Sequence, residues 1–584
     1  MVPLARYSHH RDEMAAEELR RGPGVAILGI LPGGATALLS ITPINMDCTF
    51  MTPCAVAGGV GVLSHLLYFI RGEHHKYAHR WITRIFAGIT VLAVSVLRVT
   101  EYQFLRTLIL TILLSTSYFV GLYGSIGIYR IFFHPLRKFK GPFWARASNL
   151  YHMCMIRKSD NYLVMKKLHK QYGPIIRTGP ANLSINDPAA IPIVLSDRAK
   201  CFKGPWYDRS LPLVNLHTVR DKKVHDARRK VFSKAFTPTA LREYEERVMV
   251  HCEEFVRQMN RLSGKPFDAS EWFKYFAFDV MGDLGLGKEF HMMTTETNRW
   301  IPTLLETSMK HVGPTSPVPW MAPILHKMPW AGKGARAWLE FVGSQVKQRT
   351  QKKSDKRDIL SHLIDAYDQT EKKDIDYQWL RGDTRLTIVG GSDTTAATLT
   401  FLFYHLAKDP SQVEKLRAEL EPLLNGKPQL DPKDVSKAQH LNGVIQETLR
   451  LHPAIPSGFP RVTPPEGVTI SGTYIPGGTT IVIPLYTMQR DEANYANAEE
   501  FIPERWYSKP ELIKNRDAFL TWNIGTNGCI GRALALTEMR NLITYFIRNF
   551  STVRFAPGED GTKLVTETKD HFTVGVKPLH LIFE

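Results

Sequence analysis

The chain has 584 residues, several times the roughly 100–200 residues of a single domain. Hydrophobic residues make up 44% and charged residues 22%, a globular composition that excludes a disordered or collagenous chain. The formal net charge of +18 favours an anionic partner, such as nucleic acid, an acidic membrane surface or an acidic protein. Six scattered cysteines exclude a disulfide framework, and no pair of CxxC motifs indicates a zinc ribbon.

The first 130 residues have the pattern of a short tail followed by a membrane region. We expect the tail at 1–21 and the membrane region at 22–130. Within that region three runs contain no charged residue, at 22–46, 48–70 and 107–129. The last two have 23 residues each, enough for a helix to cross a hydrocarbon core of ~30 Å.

Two further features decide the number of predicted spans. A shorter apolar run, 85–97, lies between Arg84 and Arg98, and Pro32-Gly33-Gly34 weakens the first run as a helix. We therefore expect three to four transmembrane helices. The alternative is that these runs are buried core helices of a soluble domain.

Lysine and arginine residues beside the runs predict their orientation. Four follow the last run and place the rest of the chain in the cytosol under the positive-inside rule: Arg130, Arg137, Lys138 and Lys140. The loop 71–84 also carries four and should be cytosolic too. Because two consecutive cytosolic loops require an even number of crossings between them, the run 85–97 must also span the membrane.

The remainder, 131–584, is predicted to form one large, mainly α-helical domain with small β-sheets. Helical periodicity is clear at 442–451 and 532–550, whereas short β-like stretches occur at 468–475, 480–484 and 572–582. We expect no internal repeat.

A single cysteine stands out in the last third of the chain. Cys529 lies in the segment Trp522-Asn523-Ile524-Gly525-Thr526-Asn527-Gly528-Cys529-Ile530-Gly531-Arg532, and an amphipathic helix follows directly. Glycines permit tight turns and a close approach of the backbone to a flat ligand. A thiol at a helix N-terminus is stabilised as the thiolate. Without other context, a buried structural cysteine remains the alternative.

Asp393 and Thr394 interrupt an otherwise apolar helical run with an acid and an alcohol. Both are poor residues within a helix, because their side chains compete for backbone hydrogen bonds. Such a break is expected to serve a function. The alternative is that Asp393 is the N-cap of a new helix, with Ile388 and Val389 ending the element before it.

A second charged motif, Glu447-Thr448-Leu449-Arg450, lies on a mostly apolar helix. Glu447 and Arg450 are three residues apart and face the same way, an arrangement that most often makes an ordinary surface salt bridge. Farther along, Arg505 lies in a proline-held aromatic turn, Phe501-Ile502-Pro503-Glu504-Arg505-Trp506.

Taken in this order and at this spacing, the motifs resemble those of the cytochrome P450 haem-thiolate monooxygenases. The resemblance covers residues from about 130 to the end, and Ile128–Leu136 is similar to the hinge before the catalytic domain of fungal members. It implies a cytochrome P450 fold preceded by transmembrane helices, with 131–584 as the catalytic domain.

The resemblance assigns roles to these residues. It implies that Cys529 is the axial ligand of the haem iron and that Asp393 and Thr394 relay protons. Glu447, Arg450 and Arg505 would form a buried charge network that supports the cysteine loop. Further residues are expected to hold the haem: His225, Arg229, Arg461, Gly525 and Gly531.

Two positions depart from the family pattern. Trp522 stands where phenylalanine usually opens the cysteine loop, and Asn527 stands where many members have an arginine that contacts a haem propionate. Haem retention should therefore depend more on Arg229 and Arg461. Neither change removes the iron ligand or the proton relay, so an active enzyme is expected.

The cofactor implied is haem b, iron protoporphyrin IX; NADPH and flavins act only through a partner reductase. The expected partners are NADPH-cytochrome P450 reductase, with cytochrome b5 as a second candidate, an apolar small-molecule substrate and membrane lipid, but no nucleic acid. The expected location is the endoplasmic reticulum membrane, with a multi-pass anchor and a cytosolic catalytic domain.

The reaction implied is insertion of one oxygen atom from dioxygen into an apolar substrate, in a fungal secondary-metabolite pathway of terpenoid or polyketide type. One alternative is a xenobiotic-oxidising monooxygenase, and another is a non-catalytic membrane haem protein such as a carrier or sensor. The segments expected to line the pocket are 202–217, the residues near Gly390, and 454–459.

Overall fold

The structure, a computed structural model, describes residues 51–328, 330–352, 356–371, 373–424 and 432–584. The predicted tail and the first apolar run, 22–46, lie outside the described residues. The described chain divides into two compact units. The N-terminal unit contains residues 51–72 and 77–128, and the C-terminal unit contains residues 73–76 and 129–584.

The N-terminal unit consists of long apolar helices. Its helices are α1 (Met51–Ser64), α2 (Ala78–Val99) and α3 (Phe104–Ile128). Together with their flanking turns, three stretches of the described chain are long and apolar enough to cross a membrane: Met51–Phe69, His75–Val99 and Phe104–Phe133. The run 85–97 is thus part of a 22-residue helix, whose length of about 33 Å matches a hydrocarbon core.

Glycines let α1 and α3 pack closely. A Cβ added to Gly121 would lie 2.0 Å from the carbonyl oxygen of Gly58, and one added to Gly61 would lie 2.1 Å from the carbonyl oxygen of Tyr118. Small residues at such a contact allow two helix backbones to approach each other within lipid. A hydrogen bond of 3.2 Å from the Tyr118 hydroxyl to Ser64 joins the same two helices.

The C-terminal unit is mainly helical. Its first helices are α4 (Asn149–Met155), α5 (Asn161–Tyr172), α6 (Ala190–Val194), α7 (Lys222–Ser233), α8 (Pro238–Arg261), α9 (Ala269–Leu286), α10 (Trp300–Met309), α11 (Val312–Thr315) and α12 (Met321–Lys327). They are followed by α13 (Lys333–Gln351), α14 (Ile359–Asp368), α15 (Lys373–Lys408), α16 (Ser411–Leu424), α17 (Pro432–Lys437), α18 (Gln439–Leu451), α19 (Leu485–Met488), α20 (Arg532–Asn549) and α21 (Thr562–Glu567).

The strands are short and form four small sheets. Their bounds are β1 (Ile175–Gly179), β2 (Asn182–Ile185), β3 (Phe267–Asp268), β4 (Arg461–Val462), β5 (Val468–Ile470), β6 (Thr473–Ile475), β7 (Thr480–Val482), β8 (Val553–Phe555), β9 (Lys569–His571), β10 (Thr573–Gly575) and β11 (His580–Phe583). The sheet orders are β1-β2-β7-β4, β3-β11-β8, β9-β10 and β5-β6. Only the β2–β7 pair is parallel among the described strands.

The longest helix organises the core. The 36-residue α15 packs against α9, α13, α14, α18 and α20. It runs without interruption through Asp393 and Thr394, so the alternative of a helix N-cap at Asp393 is wrong. The prediction of a mainly α-helical fold with small sheets is confirmed. The predicted helices at 442–451 and 532–550 correspond to α18 and α20.

Candidate functional site

The Cys529 loop is a tight turn that leads into α20. A 3₁₀ turn, Gly525–Asn527, precedes the cysteine, and the Cys529 N–H donates to the carbonyl oxygen of Trp522 at 2.8 Å. Gly525 has φ +65°, and a Cβ there would lie 2.3 Å from the Asp197 carboxylate, so this position requires glycine. A Cβ at Gly531 would meet no atom within 4 Å. The loop thus leaves space beside the sulfur.

Electrostatic contacts around the thiol act in opposite directions. The residue is accessible, yet the surrounding protein is close enough that burial raises the pKa of the Cys529 thiol. The backbone N–H of Gly531 and the guanidinium of Arg229 lower the same pKa. Because only the thiolate is a good metal ligand, these donors are the groups that favour the ligating form.

Glu447, Arg450 and Arg505 lie together, and all three are fully buried. The Glu447 carboxylate accepts from Arg450 Nε at 2.9 Å and Nη2 at 2.7 Å, and from Arg505 Nε at 2.8 Å. It also accepts from the Trp506 indole at 2.9 Å and from the Ile502 N–H at 3.0 Å. The arginines donate further protons to backbone carbonyls. The alternative of an ordinary surface salt bridge is therefore wrong.

A residue that the sequence analysis did not single out joins this network to the cysteine loop. Gln489 is fully buried, and its amide nitrogen donates to the carbonyl oxygen of Arg450 at 2.9 Å. Its amide oxygen accepts from the Leu520 N–H at 3.0 Å and the Thr521 hydroxyl at 3.1 Å. The chain then enters the cysteine loop at Trp522. Hydrogen bonds therefore connect the Glu447 network through Gln489 to Leu520 and Thr521, the two residues before that loop.

The acid and the alcohol of α15 do not contact each other. The Thr394 hydroxyl donates to the carbonyl oxygen of Gly390 at 2.7 Å, within the helix. The Asp393 carboxylate instead accepts a hydrogen bond of 2.5 Å from the Thr573 hydroxyl on β10. Consecutive residues on a helix point in different directions, which explains the separation.

Asp393 lies beside a small cavity. Burial raises the pKa of its carboxyl to about 6, although the Thr573 hydroxyl and the Lys274 ammonium act in the opposite direction. The cavity has a volume of ≈ 20 Å³, enough for one water molecule, and both Lys274 and Glu306 line it. Asp393 is therefore a carboxyl that can hold or release a proton near neutral pH.

The predicted haem-binding residues His225, Arg229 and Arg461 lie on α7 and β4, and of these Arg229 contacts the cysteine loop. The Arg229 guanidinium on α7 donates to the carbonyl oxygen of Gly528 at 2.7 Å, which brings that helix to the cysteine loop. His225, one turn earlier, is buried and contacts Asp226 at 3.0 Å. On β4 the Arg461 guanidinium is buried and donates to the Tyr207 hydroxyl at 2.5 Å.

Lys203 is a further buried basic residue, which the sequence analysis missed. Its ammonium donates to the carbonyl oxygen of His217 at 2.7 Å. Burial, and then the nearby charge of Arg461, lower the pKa of Lys203 well below its usual value. Neither Lys203, Arg229 nor Arg461 forms a salt bridge with a carboxylate among the described residues. These basic groups fit a ligand that carries carboxylates of its own, because a nearby anion favours the charged form of a buried amine.

Aromatic rings from three separate segments meet next to these cations. The Phe572 ring lies 4.8 Å from Trp206, 5.1 Å from His217 and 6.2 Å from Phe459 between ring centroids. Phe572 lies at the turn between β9 and β10 with φ +91°, a strained conformation for a residue with a side chain. The predicted pocket segments 202–217 and 454–459 contribute rings here, but Phe572 was not predicted. Phe202 itself is exposed and pairs with Val462 of β4.

Comparison with known proteins decides the family. The sequence model of the family Cytochrome P450 matches residues 142–583. The chain belongs to the cytochrome P450 family.

Several fungal relatives align over nearly their full length. The chain is 39% identical to cytochrome P450 monooxygenase lcsK of Purpureocillium lilacinum, over 92% of this chain and 98% of the relative. It is 38% identical to cytochrome P450 monooxygenase notG' of Aspergillus versicolor, over 90% and 97%. It is 35% identical to tryprostatin B 6-hydroxylase of Aspergillus fumigatus, over 92% and 97%.

Family membership carries an implication for the cofactor. It implies an oxidoreductase whose cofactor is a haem with a cysteine thiolate ligand. The residues present fit that group. The accessible thiol matches an iron ligand and the open position at Gly531 a flat ring, and Arg229 and Arg461, which form no salt bridge within the described ranges, match two propionates. The three apolar helices are consistent with membrane anchoring.

Proposed function

We propose that this protein is a membrane-bound haem-thiolate monooxygenase that inserts one oxygen atom from dioxygen into an apolar small molecule of secondary metabolism. The observation that carries the proposal is the buried Glu447 network, which is hydrogen-bonded through Gln489 to Thr521, directly before the loop that presents the accessible Cys529. We assign the catalytic domain to residues 131–584, with residues 22–130 as membrane region.

Cys529 would ligate the iron of haem b. Arg229, Arg461 and His225, together with Lys203, would neutralise the two propionates, which compensates for Asn527 in place of an arginine. Gly531, where a Cβ would meet no atom within 4 Å, would leave room for the ring, and Gly525 would allow the tight turn that shapes the loop. Bound there, haem supplies the activation of dioxygen that side chains cannot provide.

Asp393 and Thr394 would deliver protons from two sides of α15. Asp393 lies between the cavity near Lys274 and Glu306 and the body of the helix, so it can receive a proton from water. The hydroxyl of Thr394 can exchange its intrahelical hydrogen bond for one to a bound molecule. Because these two side chains do not touch, transfer between them requires a water molecule or a rotamer change.

Electrons would come from an NADPH-dependent cytochrome P450 reductase, and cytochrome b5 is a second candidate donor. Arg229 joins α7 to the cysteine loop, and α7 exposes Lys223 and Lys230 on its other side. A basic surface this close to the iron ligand suits the small, charge-steered contacts of electron transfer. Lys223→Glu with Lys230→Glu should slow reduction at low salt and leave haem content unchanged.

Substrate recognition would depend on the aromatic cluster around Phe572. We infer a bulky apolar substrate of terpenoid or polyketide type, and the name of one relative adds tryprostatin B to the compounds worth testing. A high-spin shift of the haem spectrum, screened over these compounds and a set of xenobiotics, tests this assignment. A response confined to xenobiotics would favour the drug-oxidising alternative.

We infer that the protein resides in the endoplasmic reticulum membrane with its catalytic domain in the cytosol. Glu73 forms an ion pair with Arg220 and His75 a hydrogen bond with Asp208, which supports a cytosolic loop between α1 and α2. A glycosylation site engineered near Glu101 should be modified, and one near His75 should not. Modification near His75 alone would contradict this topology.

The decisive experiment is Cys529→Ser in the full chain. A serine oxygen cannot replace the thiolate donor, so the thiolate-type spectrum of the reduced, CO-bound haem should disappear. Cys201→Ser is the control, because burial raises the pKa of that thiol to about 11 and keeps it neutral. If Cys529→Ser keeps the thiolate band, another residue ligates the iron. NADPH-dependent oxygen uptake with the reductase separates an enzyme from a carrier or sensor.

A further inference from the structure

A four-residue segment between α1 and α2 belongs to the C-terminal unit. The Glu73 carboxylate accepts two hydrogen bonds from Arg220, one from Nη1 and one from Nη2, both at 2.7 Å. His75 Nε2 lies 2.8 Å from the Asp208 carboxylate, which also accepts from Arg220 Nη1 at 2.6 Å. The segment Glu73–Lys76 is thus held by a chain of hydrogen bonds that runs from Glu73 through Arg220 and Asp208 to His75.

The Asp208 end of this network is shielded from water, whereas the Glu73 end is open, with 40% of the Glu73 side chain exposed. The Asp208 side chain is 10% exposed and the Arg220 side chain 20%, whereas both side chains of the surface pair Lys200–Glu466 exceed 50%. Burial raises the pKa of the Asp208 carboxyl, but His75 and Arg220 outweigh it and the pKa falls below its usual value. The two-pronged contact between Arg220 and Glu73 also has the geometry of the stronger ion pairs.

A metal site is the other arrangement these residues suggest. Glu73, His75 and Asp208 each have a potential ligand atom within 4.8 Å of the others. Arg220, however, donates to both carboxylates. A cation placed among them would meet the guanidinium, so the geometry is that of an ion-pair network.

The network lies next to a segment that reaches the haem site. Arg220 Nε donates to the carbonyl oxygen of Lys203 at 2.9 Å, which closes residues 203–220 into a loop. Asp208 lies in the 3₁₀ turn Pro205–Ser210, and the neighbouring Tyr207 is buried and bonded to Arg461. Lys203 and His217 belong to the same loop.

We propose that Glu73 and His75 clamp the loop 203–220 and thereby position Tyr207 and Arg461 at the haem pocket. The inference rests on the proposed function for the role of Arg461, but the clamp itself does not. It makes the connection between two membrane helices a positioning element of the active site. The clamp should limit the opening of this loop and the entry of small molecules to the haem.

The test is Glu73→Ala combined with His75→Ala in the full chain in lipid nanodiscs. Neither residue touches the cysteine loop, so haem content and the thiolate-type CO spectrum should remain. Backbone amides of residues 203–220 should exchange hydrogen about tenfold faster, since local opening becomes easier. Imidazole should bind the ferric haem faster as well. A variant with Glu73→Asp in place of Glu73→Ala should exchange hydrogen more slowly in residues 203–220, because its carboxylate can still reach Arg220.

Lys200→Gln is the matched control, because it breaks an exposed ion pair with Glu466 just before the same loop. It should change the exchange rates less than about twofold, as expected for a surface salt bridge. Unchanged exchange in the double variant, or an equal increase in the control, would overturn the clamp. Absence of a thiolate-type spectrum in the wild type would refute the proposed function. The hydrogen-exchange rates of residues 203–220 would still test the clamp, because they do not depend on that spectrum.

Discussion

Replacement of Glu447 by glutamine tests whether the buried charge network supports the cysteine loop. The substitution keeps the shape of the side chain but replaces one acceptor oxygen by an NH₂ group. In either amide orientation at least two donors lose their acceptor: Arg450 Nε and the Trp506 indole, or Arg505 Nε and the Ile502 N–H.

The loss of stability in Glu447→Gln can be calculated in two ways, which give similar values. Each buried donor left without an acceptor costs about 1–3 kcal/mol, which gives about 2–6 kcal/mol for two. Breaking a buried ion pair by removing one partner costs about 3–5 kcal/mol. We therefore expect Glu447→Gln to lower the free energy of unfolding of the C-terminal unit by about 3–5 kcal/mol.

Denaturant titration with two readouts measures this effect. Far-ultraviolet circular dichroism follows the helices, and the thiolate-type CO spectrum follows the cysteine loop. Because Gln489 joins the network to Thr521, the CO spectrum of Glu447→Gln should be lost before the helices unfold. Glu466→Gln, at an exposed pair, is the control and should change the stability by less than about 1 kcal/mol. A Glu447→Gln protein as stable as this control would refute the reasoning.

Three further predictions concern the relay and the membrane helices. Thr394→Ala should keep the haem but yield less product and more peroxide per NADPH; unchanged coupling would contradict a role of this hydroxyl. Burial raises the pKa of Asp393 from 3.8 to about 6, so between these pH values the unfolded chain has released the proton that the folded chain still holds. The wild type should therefore lose stability relative to Asp393→Asn as the pH rises from 3.8 to about 6. Gly121→Leu should widen the distance between spin labels on α1 and α3, because its Cβ would collide with Gly58. Gly124→Leu, where a Cβ meets nothing within 4 Å, should leave that distance unchanged.

Local sequence information was sufficient to predict contacts within one helix and the positions of the apolar helices. Glu447 and Arg450 are one helical turn apart, so their contact follows from helix geometry once α18 exists. The run 85–97 was too short by itself, but helix α2 continues through Arg84 and Arg80 toward its start. Lysine and arginine stems tolerate such positions at the ends of a span because the charge can reach the headgroups.

The residues that were missed depend on contacts between distant segments. Gln489 looks like an ordinary polar residue in the sequence, and only the fold places it between Arg450 and Thr521. Lys203 and Phe572 become informative for the same reason. Lys203 is recognised because it forms no salt bridge within the part of the chain that the structure describes, and Phe572 is recognised by the aromatic rings around it. A strained φ at Phe572 has no signal in the sequence, because phenylalanine gives no reason to expect a left-handed backbone.

The acid–alcohol motif shows where a linear pattern misleads about geometry. Asp393 and Thr394 are adjacent, and a relay between them suggests direct contact, but successive residues on a helix are rotated by about 100°. Asp393 therefore faces Thr573 and the cavity near Lys274, while the Thr394 hydroxyl stays with Gly390. The two groups thus have separate surroundings, since the carboxyl lines the cavity and the hydroxyl lies on another face of the helix. A substitution at Thr573 should consequently disturb Asp393 without touching Thr394, so the pH dependence and the coupling of the reaction can be changed separately.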